Sequence, residues 1–136
     1  MSCVLRISGE SLDVDAMLSG IDLQPNRAWR KGESRTRNGT TTHNCSGASF
    51  ITSNADFDDL KLKIDETIEL LELHGTSIAK MVGFTGVEFA TLDFAVSFYE
   101  SSVSKFTSLP PKLIKLAASA GLGIEISVYA CSVDDE

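Results

Sequence analysis

Five cations, Arg27, Arg30, Lys31, Arg35 and Arg37, fall within eleven residues that hold a single acid, Glu33, and the chain's one tryptophan, Trp29, lies among them. A guanidinium presents a planar fork of donors that matches carboxylate and phosphate oxygens, and an indole adds a large rigid surface with one polar handle. The chemistry this segment suggests is recognition of an anion or an acidic partner, with Trp29 as the anchor. The competing reading is a solvated hairpin whose cations pair with acids elsewhere in the same chain. Arg27, Trp29, Arg30, Lys31, Arg35 and Arg37 are therefore the candidate ligand- or partner-binding residues.

The remaining reactive side chains form no comparable set. His43-x-Cys45 brings two metal-ligand types together, but zinc needs three or four at fixed spacing, and the other histidine, His74, lies far along the chain. There is no Gly-x-Ser-x-Gly elbow, and only two histidines are present to activate any nucleophile. Residues 32–42 lack the Gly-Lys-Ser/Thr of a phosphate loop, and Gly83-Phe84-Thr85-Gly86 stands between helix and strand, the reverse of a dinucleotide loop. The pairs Asp13/Asp15 and Asp58/Asp59 fall at helix starts, where capping accounts for them. No catalytic residue, metal or cofactor is assigned. Cys3, Cys45 and Cys131 are an odd count at wide spacing, which argues against a disulfide framework and for a reducing cytoplasm. Cys3 and Cys131 read as small buried side chains. The triplets Asn38-Gly39-Thr40 and Asn44-Cys45-Ser46 read as coincidences of a polar loop.

Charge is unevenly laid out. The total is −7, with the basic segment set between an acidic start and a more acidic remainder. Such a body is repelled by phosphate backbones, which disfavours nucleic acid as a partner. No apolar run approaches a membrane span, so no membrane association is expected. With 136 residues and 43% hydrophobic composition, the chain reads as a single domain over 1–136, long enough to bury roughly two-thirds of its unfolded surface. It carries a flexible loop at 33–46 and a frayed acidic tail at 132–136.

Hydrophobic periodicity supplies the elements. Residues 2–9 alternate as a strand, with Cys3, Leu5 and Ile7 opposite Val4, Arg6 and Ser8. A short helix follows, capped by Ser11 or Asp13 and stopped at Gly20, with Leu12, Ala16 and Met17 or Leu18 as its stripe. Residues 26–32 form a second strand and 49–53 a third. Phe57, Leu60, Ile64, Ile68 and Leu71 mark a long amphipathic helix capped by Asn54, Asp56 or Asp58; Gly75 weakens it, so Ile78 to Val82 read as a further turn or a second short helix. Residues 92–99 alternate as a strand, Pro110-Pro111 opens a helix with Leu113, Leu116 and Ala117 on one stripe, and Ile124, Ile126 and Val128 mark the last strand. The fold class is α+β: an antiparallel or mixed sheet covered by helices, either a ferredoxin-like plait or two strand–helix–strand units around a long central helix. Leu5, Ile7, Leu60, Ile64, Ile68, Phe94, Val96, Phe98, Ile124 and Ile126 are the expected core.

Leu5-Arg6-Ile7-Ser8-Gly9 with Leu12-Asp13, followed by Pro25-x-x-x-Trp29-x-Lys31-Gly32, resembles the bacterial domain-of-unknown-function family 4279. The likeness continues through a long helix, the aromatic strand Phe94 to Tyr99, and a proline-led helix running into a closing strand, so it covers about residues 3–130. It implies a small α+β domain and no established activity, substrate or cofactor. Where members often carry a second tryptophan in the strand after the basic loop, this chain has Ala48-Ser49-Phe50, so a site built on two tryptophans is not expected.

The function expected first is a non-catalytic binding or protein-interaction module, its partner an unknown protein or a small anionic ligand. The alternative is an acidic immunity-type protein that neutralises a toxin through Asp58, Asp59, Asp65, Glu66, Glu69 and Glu72. The third is an enzyme of unknown reaction, which would need a pocket with convergent polar groups. The sequence does not define an oligomeric state.

Overall fold

The computed structural model describes residues 3–37 and 39–132, so residues 133–136 of the expected acidic tail and Asn38 of the Asn38-Gly39 turn lie outside the described residues. The chain runs β1 (Cys3–Gly9), α1 (Val14–Leu18), β2 (Arg27–Trp29), β3 (Ser46–Ser53), α2 (Leu60–Val82), β4 (Phe89–Tyr99), α3 (Pro111–Ser119), β5 (Gly123–Cys131). This is an α+β fold with one five-stranded mixed sheet in the order β2-β3-β1-β4-β5. All neighbours are antiparallel except β4 and β5, which are parallel across α3. Only this second strand–helix–strand unit joins neighbouring strands. In the first, β3 inserts between β1 and β2, because β1 pairs on both sides with longer strands.

Period-two alternation sends Cys3, Leu5 and Ile7 of β1, Ala48 and Phe50 of β3, and Leu92 and Phe94 of β4 into one buried core. The same core takes Ile64, Leu71, Ile78 and Met81 from α2, and Leu113 and Ala117 from α3. Ile64, Leu71 and Ile78 recur at seven-residue intervals, so the apolar face of α2 continues past Gly75 and the helix runs unbroken for 23 residues. The break expected at Gly75 does not occur. One helical glycine costs about 1 kcal/mol, less than the burial of Ile78 and Met81 returns. Asp59, rather than Asn54, Asp56 or Asp58, caps the helix by accepting from Leu62 N. In α1, Asp13 is the cap, and Val14 and Met17 are buried in place of Ala16.

Of the expected core, Leu5, Ile7, Ile64, Phe94 and Val96 are buried, and Leu60, Ile68, Phe98 and Ile124 are half-buried. Ile126 is 39% exposed, a correction: β5 is the edge strand, and α3 does not reach across it. The second strand is also shorter than 26–32, because past Trp29 the chain leaves β3 and turns back on itself through Gly32 N to His43 O, His43 N to Glu33 O, and a bridge between Ser34 and Thr42.

Among the described residues the β1–β4 pairing runs from Ser8 opposite Phe89 to Cys3 opposite Phe94, and β4 continues beside β5 to Tyr99. The Ala95 carbonyl accepts from Lys63 Nζ at 2.5 Å, and the Ser97 carbonyl accepts from Lys105 Nζ. Lys63 is fully buried and also donates to the Phe57 carbonyl, with its ammonium 5.0 Å from the Phe57 ring centroid. Burial pushes its pKa below the ordinary lysine value. Among the described residues no helix is long and apolar enough to cross a membrane.

Candidate functional site

The alternation that buries Leu5 and Phe50 turns Val4 and Arg6 of β1, Ser49 and Ile51 of β3, Asp93 and Ala95 of β4 and Tyr129 of β5 to the other face of the sheet. There they floor a cavity of about 890 Å³. Its wall comes from β2 and the polar excursion after it: Arg27, Trp29, Arg35, Thr36, Thr41, His43, Asn44 and Cys45. Asn26 fixes this wall to the sheet, since its backbone N–H donates to Ser49 O at 2.8 Å and its side-chain oxygen accepts from Ile51 N at 2.6 Å.

Trp29 lies over Gly47, its register partner. A Cβ at Gly47 would sit 2.6 Å from Trp29 Cζ2 and 2.7 Å from Ile7 O, so only glycine leaves room for the indole. His43 stacks on Trp29 with ring centroids 5.8 Å apart and planes at 24°, and the Arg27 guanidinium carbon stands 5.9 Å from the indole centroid. On the floor, Arg6 pairs with Asp93 at 2.6 Å, and Asp93 also accepts from Ser127 Oγ at 2.6 Å.

The six candidate residues divide. Arg27, Trp29 and Arg35 line the cavity. Arg30 turns away to α1, where Nε and Nη2 hold both oxygens of Asp15 at 2.8 and 2.6 Å, with Glu33 at 3.6 Å. That fork holds the Asp15 carboxyl below its usual range and raises the guanidinium. Lys31 pairs with Glu10 at 3.3 Å. Arg37 is exposed and outside the cavity lining. Among the described residues, neither Arg27 nor Arg35 has a carboxylate partner. Sequence reasoning missed Arg6 and Asp93. The available signal was a charged side chain on the outer face of β1, the sheet's central strand.

His43 and Cys45 do reach the same cavity. Among the described residues no three His, Cys, Asp or Glu side chains are grouped to hold a metal. Cys3, Cys45 and Cys131 are free; Cys3 is buried, while Cys131 is only partly covered at the sheet edge. Most of the acidic candidates are engaged within the chain. Asp58 accepts from Ser97 and from Tyr99 at 2.7 Å, Asp59 caps α2, Asp65 pairs with Lys61, Glu66 accepts from Ser53, and Glu72 pairs with Lys112. The two hydroxyl donors lower the Asp58 pKa, and the phenol of Tyr99 is pushed up to about 12 chiefly by its bond to Asp58.

The family model described as Domain of unknown function (DUF4279) matches residues 1–131. The chain belongs to the DUF4279 family. The match takes in every residue of the cavity and all five strands. Neither the curated proteins nor the solved structures give a match to this DUF4279 domain.

Proposed function

We propose that this DUF4279 domain is a non-catalytic binding module that holds a small anionic ligand in the cavity on the open face of its sheet. The observation that carries the reading is the pair Arg27 and Arg35, which line that cavity without a carboxylate partner among the described residues. The cavity has three guanidiniums and one carboxylate, while the whole chain is at −7. Inside a concave wall such a local excess focuses the field on an anion. Val4, Ile51 and Ala95 supply an apolar floor and Trp29 an aromatic wall, so the ligand has an apolar body as well as an anionic head. The volume falls in the range of about 300–1,000 Å³ typical of small-molecule sites.

Trp29 is the chain's one tryptophan, so its emission reports on this cavity alone. Titration with inorganic phosphate, citrate and benzoate is expected to give a saturable change for at least one of them, weakening with added salt. Arg27→Glu with Arg35→Glu abolishes it, whereas Arg30→Glu leaves it intact. No saturable change with any of the three, or a response that survives the Arg27/Arg35 reversal, overturns the reading.

A further inference from the structure

The two edges of the sheet are treated differently. β2 is three residues long and begins with Arg27, the short charged edge that resists pairing with another chain. β5 is nine residues long, Gly123–Cys131, with no Lys, Arg or Pro and one charge, Glu125. Glu100 N donates to Cys131 O on the β4 side, and bonding direction alternates along a parallel-paired strand. The N–H and C=O groups of Ile124, Ile126, Val128 and Ala130 therefore point away from β4, and they find no partner among the described residues. Their side chains share the helix-covered face with Leu92, Phe94 and Val96, yet Ile126 is 39% and Val128 62% exposed. Ile114 is half exposed on the side of α3 opposite Lys112, which pairs with Glu72 of α2. It extends the apolar stripe towards the same edge.

We infer that β5 pairs antiparallel with β5 of a second copy of this chain, making a continuous ten-stranded sheet about a two-fold axis at Ser127. This register pairs all of 124–130. Ile126 meets the partner's Val128, Ile124 meets the partner's Ala130, and Glu125 faces the partner's Tyr129, so no like charges stand opposite. The strand is thus complementary to itself, as an isologous interface requires. Covering the edge with the exposed parts of Ile114, Ile126, Val128 and Tyr129 removes roughly 500 Å² per copy, about 1,000 Å² in total, the size at which specific association begins. Tyr129 belongs to both the edge and the cavity, so pairing sets the partner's Glu125 beside the cavity rim.

Sedimentation equilibrium of the full chain across the micromolar range tests this. A dimer is expected, with Val128→Lys raising its dissociation constant about tenfold or more while circular dichroism and the urea midpoint stay near wild type. In the proposed register Ser127 meets the partner's Ser127 at a non-hydrogen-bonded position, about 4.5 Å between Cα atoms and within disulfide reach. Ser127→Cys should therefore cross-link under mild oxidation where the wild type does not. A monomer throughout, a dimer indifferent to Val128→Lys, or a Ser127→Cys chain that stays uncross-linked would each overturn the inference. None of these readouts depends on occupancy of the cavity.

Discussion

Lys63→Met removes one buried ammonium and keeps an unbranched stem of similar length. The ammonium donates to Ala95 O of β4 and to Phe57 O in the segment leading to α2. Each carbonyl left without a donor costs about 1–3 kcal/mol when buried. Against that stands relief of desolvation, since the wild type holds a charge that burial disfavours. Replacing a whole buried ion pair by apolar groups is often neutral, but here the acceptors are backbone and remain behind. The deficit therefore wins, and the expected net loss is about 1–3 kcal/mol. Lys63→Ala adds a cavity and raises the loss to about 3–5 kcal/mol. Urea unfolding followed by circular dichroism reads this as a lower midpoint at unchanged slope. The wild type also carries a pH signature. Its folded state binds the Lys63 proton less tightly than the unfolded chain does, so stability rises with pH from the lowered folded value towards 10.5. The methionine variant loses that rise. A Lys63→Met protein as stable as wild type, or one with the same alkaline rise, would refute the account of Lys63 as the buried donor to the Ala95 and Phe57 carbonyls.

Tyr99 titrates with the opposite sign: its phenol is held up to about 12, so its contribution is complete below pH 10 and lost between 10 and about 12. Tyr99→Phe should flatten that alkaline loss in urea midpoints, and it should also weaken the acid limb, because Asp58 loses one of the two donors that lower its pKa. Arg30→Glu with Lys31→Glu places carboxylates beside Asp15, Glu33 and Glu10. The expected result is a small stability loss, larger at low than at high salt, with Trp29 titrations unchanged; lost ligand response would show that these two cations serve the cavity after all. Gly47→Ala forces a Cβ against Trp29 and against the Ile7 carbonyl, which cannot rotate away. A loss of about 1–3 kcal/mol with red-shifted Trp29 emission is expected, and wild-type stability and emission would contradict the close approach.

Alternation and three- to four-residue recurrence are local properties, so they mark β1, β4, α2, α3 and β5 without reference to any partner. Proline at the start of α3 and Gly121 after its end, the latter at φ +79°, bounded that helix by chain stereochemistry alone. Gly75 shows the limit of the same logic. A local penalty of about 1 kcal/mol reads as a break, but the buried face on both sides of it holds α2 together. The concentration of cations around Trp29 was likewise legible, because five cations in eleven residues stand out against an acidic chain.

What composition and spacing determined is therefore the α+β class, the buried faces of α2 and α3, the inward sides of the strands and the concentration of cations around Trp29. The partner of each cation was decided elsewhere. Arg30 and Lys31 neighbour Trp29 in sequence yet close on Asp15 and Glu10, whereas Arg6, more than twenty residues from Trp29, shares its cavity. Sheet order produces this result: β1 at the centre carries Arg6 under the wall built by β2, while β5 at the edge leaves Ile126 and Val128 uncovered. Strand order is set by which long-range pairings bury the most surface at the least loop entropy, a competition over the whole chain. Only the folded structure records its outcome.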